Sequence, residues 1–181
     1  MTDFSEISAY SQHKTRVLIY SSHQKVSGLM LYVLDFFGKE VDYFLENGSI
    51  KQADSDFVIL ETSDIQKASE FRPNIALISE EINNENLSLL LKNITAGGVL
   101  IYSEKIRETV DLAENYFRRL PFCDVEIKNQ ADKIVIKTEM GNIPLLSGDE
   151  NFVKNINGIQ LLCQQFGVME EDFYEALMSF E

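Results

Sequence analysis

Five short runs of β-branched and aromatic residues recur along the chain: Arg16–Tyr20 (RVLIY), Val41–Leu45 (VDYFL), Asp56–Leu60 (DFVIL), Asn74–Ser79 (NIALIS) and Gly98–Tyr102 (GVLIY). Continuous apolar runs of this length suit parallel strands covered on both faces. Between them the period lengthens. Leu29, Met30, Val33, Leu34 and Phe37 fall on one helical stripe, which Gly38 closes as a C-cap. Further helices are predicted over Asn84–Ile94 and Glu104–Phe117. Strands alternating with helices predict a three-layer α/β domain with a mostly parallel sheet.

After Cys123 the rhythm changes. CDVEI, KIVIKT and NIPLL read as short strands, with turns at Gln130–Asp132 and Met140–Asn142. This predicts a small antiparallel extension at the edge of the sheet. Two helices close the chain, one over Asn151–Phe166 capped by Gly167 and one over Glu171–Phe180. There is no internal repeat, Pro-rich linker or low-complexity segment. The division is therefore a leader, residues 1–15, and a single domain, residues 16–181. The aromatic set Phe36, Phe37, Tyr43, Phe44 and Phe57 follows the helix and strand periods and reads as core.

Composition narrows the function. With 181 residues, 45% apolar and 25% charged, the chain can bury a core without disulfides or metals. A net charge of −13, with Arg118–Arg119 the one adjacent basic pair, argues against a nucleic-acid partner. The first fifteen residues lack the apolar stretch of a secretory signal. No apolar run approaches the roughly 18 residues that span a bilayer, so no membrane partner is expected. Cys123 and Cys163 lack metal-ligand spacing and read as small buried hydrophobes, in keeping with a cytoplasmic location.

In an open α/β sheet, ligands bind beyond the carboxyl ends of the strands, where the first strand turns into its helix. Here that turn is Ser21-Ser22-His23-Gln24-Lys25-Val26-Ser27. A working phosphate loop needs glycines, so that backbone N–H groups can wrap the phosphates. It also needs a lysine, followed directly by a hydroxyl for magnesium. This segment keeps the lysine and offers Ser27 one position late.

The stretch RVLIYSSHQKVSGLMLYVL resembles the strand, phosphate loop and helix that open the central ATP-binding domain of the Mur ligases, where the loop reads G-T-x-G-K-T-T. Four later segments agree in order. DFVILETSD resembles the strand ending in E-x-D-E, which places Glu61 at a magnesium-binding carboxylate. RPNIALIS resembles the strand that leads to an Asp-His pair, and NITAGGVLIY the glycine-paired strand. The stretch from Asn155 to Glu181 resembles the closing helices, most closely those of the murein-peptide ligases that join UDP-N-acetylmuramate to a tripeptide.

The resemblance implies ATP and magnesium as cofactors. It implies Ser22, His23, Gln24, Lys25, Ser27 and Asn155 as nucleotide-binding residues, and Glu61 as a metal ligand. The departures imply that both cofactors are held weakly or not at all. Ser21 and Gln24 stand at glycine positions, Val26 stands where the magnesium hydroxyl should be, and Asn84-Glu85 replaces the Asp-His pair. Gly148-Asp149-Glu150-Asn151 stands where the family has Gly-x-His-Asn. The family's two flanking domains, which bind the UDP-sugar and the incoming peptide, have no counterpart in these residues.

Each of these residues also has a plain reading. Lys25 is then an exposed loop lysine, His23 a surface histidine, and Glu61 and Asp64 solvated strand-end acids. Asp149-Glu150 and Glu170–Asp172 are a solvated acidic face.

The expected function is that of a stand-alone, degenerate relative of the Mur ligase central domain. No residue is assigned a catalytic role, and the protein serves in binding or regulation. One alternative is an ATP-dependent ligase of UDP-N-acetylmuramate and peptide that works with other domains. Another is a module for a different anionic small molecule. On the closing helix, Phe173, Tyr174, Leu177, Met178 and Phe180 spread over more than one stripe. That spread predicts an apolar surface for a homodimer or a partner protein.

Overall fold

Strand β1 (Thr15–Tyr20) lies at the centre of the molecule because its side chains are wanted on both faces of the sheet. The computed structural model describes residues 3–82, 85–130 and 133–181. The main sheet has seven strands in the order β3-β2-β4-β1-β5-β6-β7. These are β2 (Asp42–Phe44), β3 (Ile50–Lys51), β4 (Phe57–Thr62), β5 (Ile75–Ile78), β6 (Val99–Ser103) and β7 (Arg118–Phe122). Every pairing in it is parallel except β2 with the two-residue β3.

The period-two alternation of β1 divides the core. Val17 and Ile19 pack under α2 (Gln24–Phe36), α6 (Glu150–Gln164) and α7 (Glu170–Leu177). Leu18 and Tyr20 face the opposite way, under α1 (Phe4–Ser11), α3 (Ile65–Glu70), α4 (Leu87–Asn93) and α5 (Arg107–Asp111). The result is the three-layer α/β arrangement predicted by the alternation of runs. Gly38 ends α2 at φ 62°, and the N–H of Lys39 donates to Leu34 O at 2.8 Å. At the start of β6, Gly98 is required by close approach, since a Cβ there would lie 2.5 Å from Asn74 O.

The meander also forms, as β8 (Glu126–Gln130), β9 (Lys133–Thr138) and β10 (Gly141–Leu145), paired antiparallel as a sheet of its own. Its Ile136, Ile143 and Leu145 join the core on the α6 face. The edge of the main sheet belongs to β7 instead. The turn predicted at Met140–Asn142 falls at Glu139–Met140. The one predicted at Gln130–Asp132 includes residues outside those described.

Other expectations need correction. The helix expected over Glu104–Phe117 is a 3-10 turn followed by the five residues of α5, and Leu112 and Tyr116 are exposed beyond it. Residues 4–11, read as part of a leader, form α1, whose Ile7 is buried in the core. Cys163 is buried as expected, with its thiol pushed by burial well above the ordinary range, whereas Cys123 is exposed. Of the aromatic set, Phe36 is exposed. In the closing helix Phe173, Tyr174 and Leu177 all reach the core, because α7 packs on both α2 and α6. Phe180 packs between Tyr32 and Phe152, which leaves Met178 as the exposed member of that set.

Candidate functional site

The chain passes from β4, on one side of β1, to β5 on the other. The crevice beyond the carboxyl end of β1 is therefore the place where such a sheet takes ligands. Three chain ends meet there: Ser21–His23 after β1, Glu61–Thr62 closing β4, and Ser79–Glu81 after β5.

The loop after β1 is short. His23 is the N-cap of α2 but makes no side-chain capping bond, and Val26 N donates to His23 O at 3.0 Å. One carboxylate organises the rest. Glu81 Oε1 accepts from Ser21 Oγ at 2.6 Å, from Ser79 Oγ at 2.6 Å and from the backbone N–H of Ser22 at 3.1 Å. Its Oε2 accepts from Asn155 Nδ2 at 3.0 Å. Burial pushes this carboxyl's pKa up. The hydrogen bonds from Ser21, Ser79, its own backbone N–H and Asn155 outweigh that, so it sits below the usual range and is ionised at neutral pH.

Asn155, on α6, is fully buried and joins the two sides of the crevice. Its Oδ1 accepts from Glu80 N at 2.8 Å, while its Nδ2 donates to Glu81 and to Asn151 O. Further links run from the loop to the segment before α6. Lys25 Nζ donates to Ser147 Oγ at 2.9 Å. His23 Nε2 lies 3.0 Å from Asp149 Oδ2 but off the line of a hydrogen bond, so the contact is ionic when the ring is protonated. Asp149 also caps α6 through Phe152 N, and that bond, more than His23, holds its pKa down. Its side chain is half-exposed yet held by both contacts.

The second carboxylate is different. Glu61 is buried, with Oε1 2.5 Å from Ser27 Oγ and Oε2 accepting from Glu46 N at 3.2 Å. Ser27 Oγ also lies 3.1 Å from Gln24 O. The Ser27 hydroxyl is the donor in both contacts, its one proton shared between Glu61 and Gln24 O. Burial raises the Glu61 pKa, and two hydrogen bonds do not reverse it. Beside it lies a cavity of about 310 Å³ between Phe4, Phe44, Leu60 and Lys67.

The structure therefore gathers Ser22, His23, Lys25 and Asn155 around the crevice and pairs Ser27 with Glu61. Gln24, exposed at the first turn of α2, is tied to none of them by its side chain. Asp64 is the N-cap of α3, accepting from Gln66 N and Lys67 N, rather than a cation ligand. Asn84 lies outside the described residues. Sequence reasoning missed Glu81, Ser79 and Ser147. A signal existed for Glu81: an acid three residues past a buried strand, at the crevice.

These residues do not fit magnesium and a nucleotide phosphate. Val26 has no hydroxyl and is fully buried. The Ser22 N–H and the Ser21 hydroxyl are taken by an internal anion, which repels another placed beside it. Among the described residues no group of three His, Cys, Asp or Glu could hold a metal ion. Nor is any helix there long and apolar enough to cross a membrane.

Comparison with family models gives no match, and comparison with curated proteins gives none. Solved structures do match. MurF from Acinetobacter baumannii superposes with a TM-score of 0.70 at 16% identity, over 98% of this chain and 49% of that one. MurF ligase from Thermotoga maritima, in complex with ADP, gives 0.70 at 13% identity, over 98% and 51%. The UDP-N-acetylmuramate:L-alanyl-gamma-D-glutamyl-meso-diaminopimelate ligase from Neisseria meningitides gives 0.67 at 13% identity, over 94% and 67%. The fold is that of the Mur ligase central domain. The chain spans about half the length of the two MurF structures.

Proposed function

We propose that this protein is a Mur ligase-type domain that does not carry out ATP-dependent ligation and serves in binding or regulation. One observation carries the reading. Glu81 takes the Ser22 N–H and the Ser21 hydroxyl, the donors that a nucleotide phosphate would need. A functioning cradle supplies several charge-assisted hydrogen bonds of about 1.5–3 kcal/mol each, and here they are spent within the chain. Phosphoryl transfer further depends on metal-borne charge neutralisation, for which Val26 offers nothing. The work of the domain is then done by surfaces other than this crevice.

A second reading has its own support. Among the described residues Lys25 is tied only to a neutral hydroxyl, and Ser27 meets Glu61, so a lysine, a hydroxyl and a carboxylate all remain at this edge of the sheet. On that reading the chain is an ATP-dependent ligase of UDP-N-acetylmuramate and peptide that works with other domains. Steady-state phosphate release separates the two. With magnesium, ATP, UDP-N-acetylmuramate and peptide present, the proposal expects none above the no-enzyme control. Magnesium-dependent release that vanishes in Lys25→Ala would establish the second reading.

A further inference from the structure

Three buried side-chain nitrogens among the described residues lack a hydrogen bond: Arg16 Nε, His23 Nε2 and Arg119 Nε. Two of them have charge partners. His23 stands against Asp149, and Arg119 faces Asp111 and gives a second nitrogen to Ala113 O. Arg16 has neither ion pair nor side-chain hydrogen bond among the described residues. An orphaned guanidinium N–H shut off from water costs free energy, and native structures rarely keep one without a reason.

Arg16 is the second residue of β1 and lies on the α1 side of the sheet, at the amino edge opposite the phosphate-loop position. It lines an open groove of about 1000 Å³ between α1, α3 and α4. Arg72 lines the same groove and likewise has no ion pair among the described residues. Its backbone is held at φ 49°, a left-handed conformation that a non-glycine residue rarely adopts. Burial, and then the charge of Arg72, push the Arg16 pKa down, so the two guanidiniums feel each other.

The acids of the groove do not neutralise them. The Asp3 carboxylate accepts from Ser5 Oγ at 2.7 Å, within its own helix turn, and Glu70 is exposed and lies more than 4.0 Å from either arginine. Gln12 and Gln66 add amide donors to the wall. In a chain of net charge −13, two adjacent unpaired arginines in one concavity are a local reversal of sign.

We propose that the Arg16–Arg72 groove is a binding site for an oxyanion, of the phosphate-monoester class, carried on a small molecule. Guanidinium groups present paired donors that match phosphate oxygens. The groove is larger than a bare ion requires, about 1000 Å³. This site is independent of the crevice at the carboxyl edge.

Inorganic phosphate is the probe for the test. The full chain is titrated at constant ionic strength against a chloride control, and the arginine Nε–Hε resonances are followed by NMR. The proposal expects a saturable shift of the Arg16 signal in the millimolar range or tighter. Affinity should fall about tenfold or more in Arg72→Gln, an exposed substitution that leaves the core untouched, and should be unchanged in Lys25→Ala. Loss of the shift in Lys25→Ala with retention in Arg72→Gln would place the anion at the other edge and overturn the proposal. So would a response to phosphate no greater than the response to chloride.

Discussion

The carboxyl edge of the sheet holds a buried glutamate and a half-buried one whose pKa values move in opposite directions. Glu81, beyond β5, collects two hydroxyls, a backbone N–H and an amide, enough donors to keep its charge under burial. Glu61, at the end of β4, has one hydroxyl and one N–H, and burial prevails. The number of donors sets which way each pKa moves. An ionised acid at the loop closes it to anions.

Removing the better-satisfied acid should have the largest effect. In Glu81→Ala, the Ser21 and Ser79 hydroxyls, the Ser22 N–H and the Asn155 amide lose their acceptor together. The expected loss is about 2–4 kcal/mol of unfolding free energy, since four hydrogen bonds to one charge go together, although Ser79 Oγ keeps Tyr20 O and Asn155 Nδ2 keeps Asn151 O. Urea unfolding measures it, and a change under 1 kcal/mol, about the scale of ordinary surface substitutions, would mean that the network contributes little. Asn155→Ala attacks the same network from α6 and should cost about 1–3 kcal/mol, because Glu80 N loses its acceptor while Glu81 keeps three donors. The two substitutions share partners, so the double variant should lose less than the sum of the singles.

The pH dependence sharpens the contrast because the two acids act with opposite sign. The folded-state pKa of Glu81 is depressed, so its stabilisation is present above the unfolded value and is lost as pH falls through the folded one. That of Glu61 is raised, so its contribution is present below the unfolded value and is lost as pH rises through the folded one. Melting curves from neutral to mildly acid pH should show Glu81→Gln less acid-sensitive than the parent. Glu61→Gln should gain stability relative to the parent as pH rises, by up to about 1 kcal/mol, because the amide keeps both hydrogen bonds without a buried charge to desolvate. Matching slopes in the two variants would erase the distinction between the acids.

Much of this fold was legible because its strands are continuous apolar runs and its helices carry clear stripes. RVLIY and GVLIY become strands β1 and β6 almost to the residue. What escaped were elements whose pattern is short or polar. Strand β7, RRLPF, has charge at one end and a proline, which only an edge strand tolerates. Helix α1 offers too few apolar positions to announce itself, yet Ile7 anchors it. Helix α3 is six residues long, and its one signal is the Asp64 cap.

The site was half legible. Ser22 and Lys25 follow from the turn after β1, Glu61 and Asn155 from the family resemblance, and all four lie at the carboxyl edge of the sheet. Their partners were not legible, because hydrogen bonds such as Ser21–Glu81 and Lys25–Ser147 join residues 60 and 122 positions apart. Nor does the sequence show that α7 settles between α2 and α6 and so buries the aromatics that suggested an interface. A dimer through that helix would now have to rest on Met178 and Phe36, and light scattering of Met178→Asp tests it. A monomer at high concentration, unchanged by that substitution, would rule out self-association through this face.

The central claim is that an internal carboxylate occupies the phosphate-loop position. Calorimetric titration of Mg·ATP into the full chain tests it most directly. No saturable heat is expected through the millimolar range, for the parent chain and for Lys25→Ala alike. Saturable binding to the parent that disappears in Lys25→Ala would contradict it, because the phosphates would then be seated on the loop that Glu81 is said to fill.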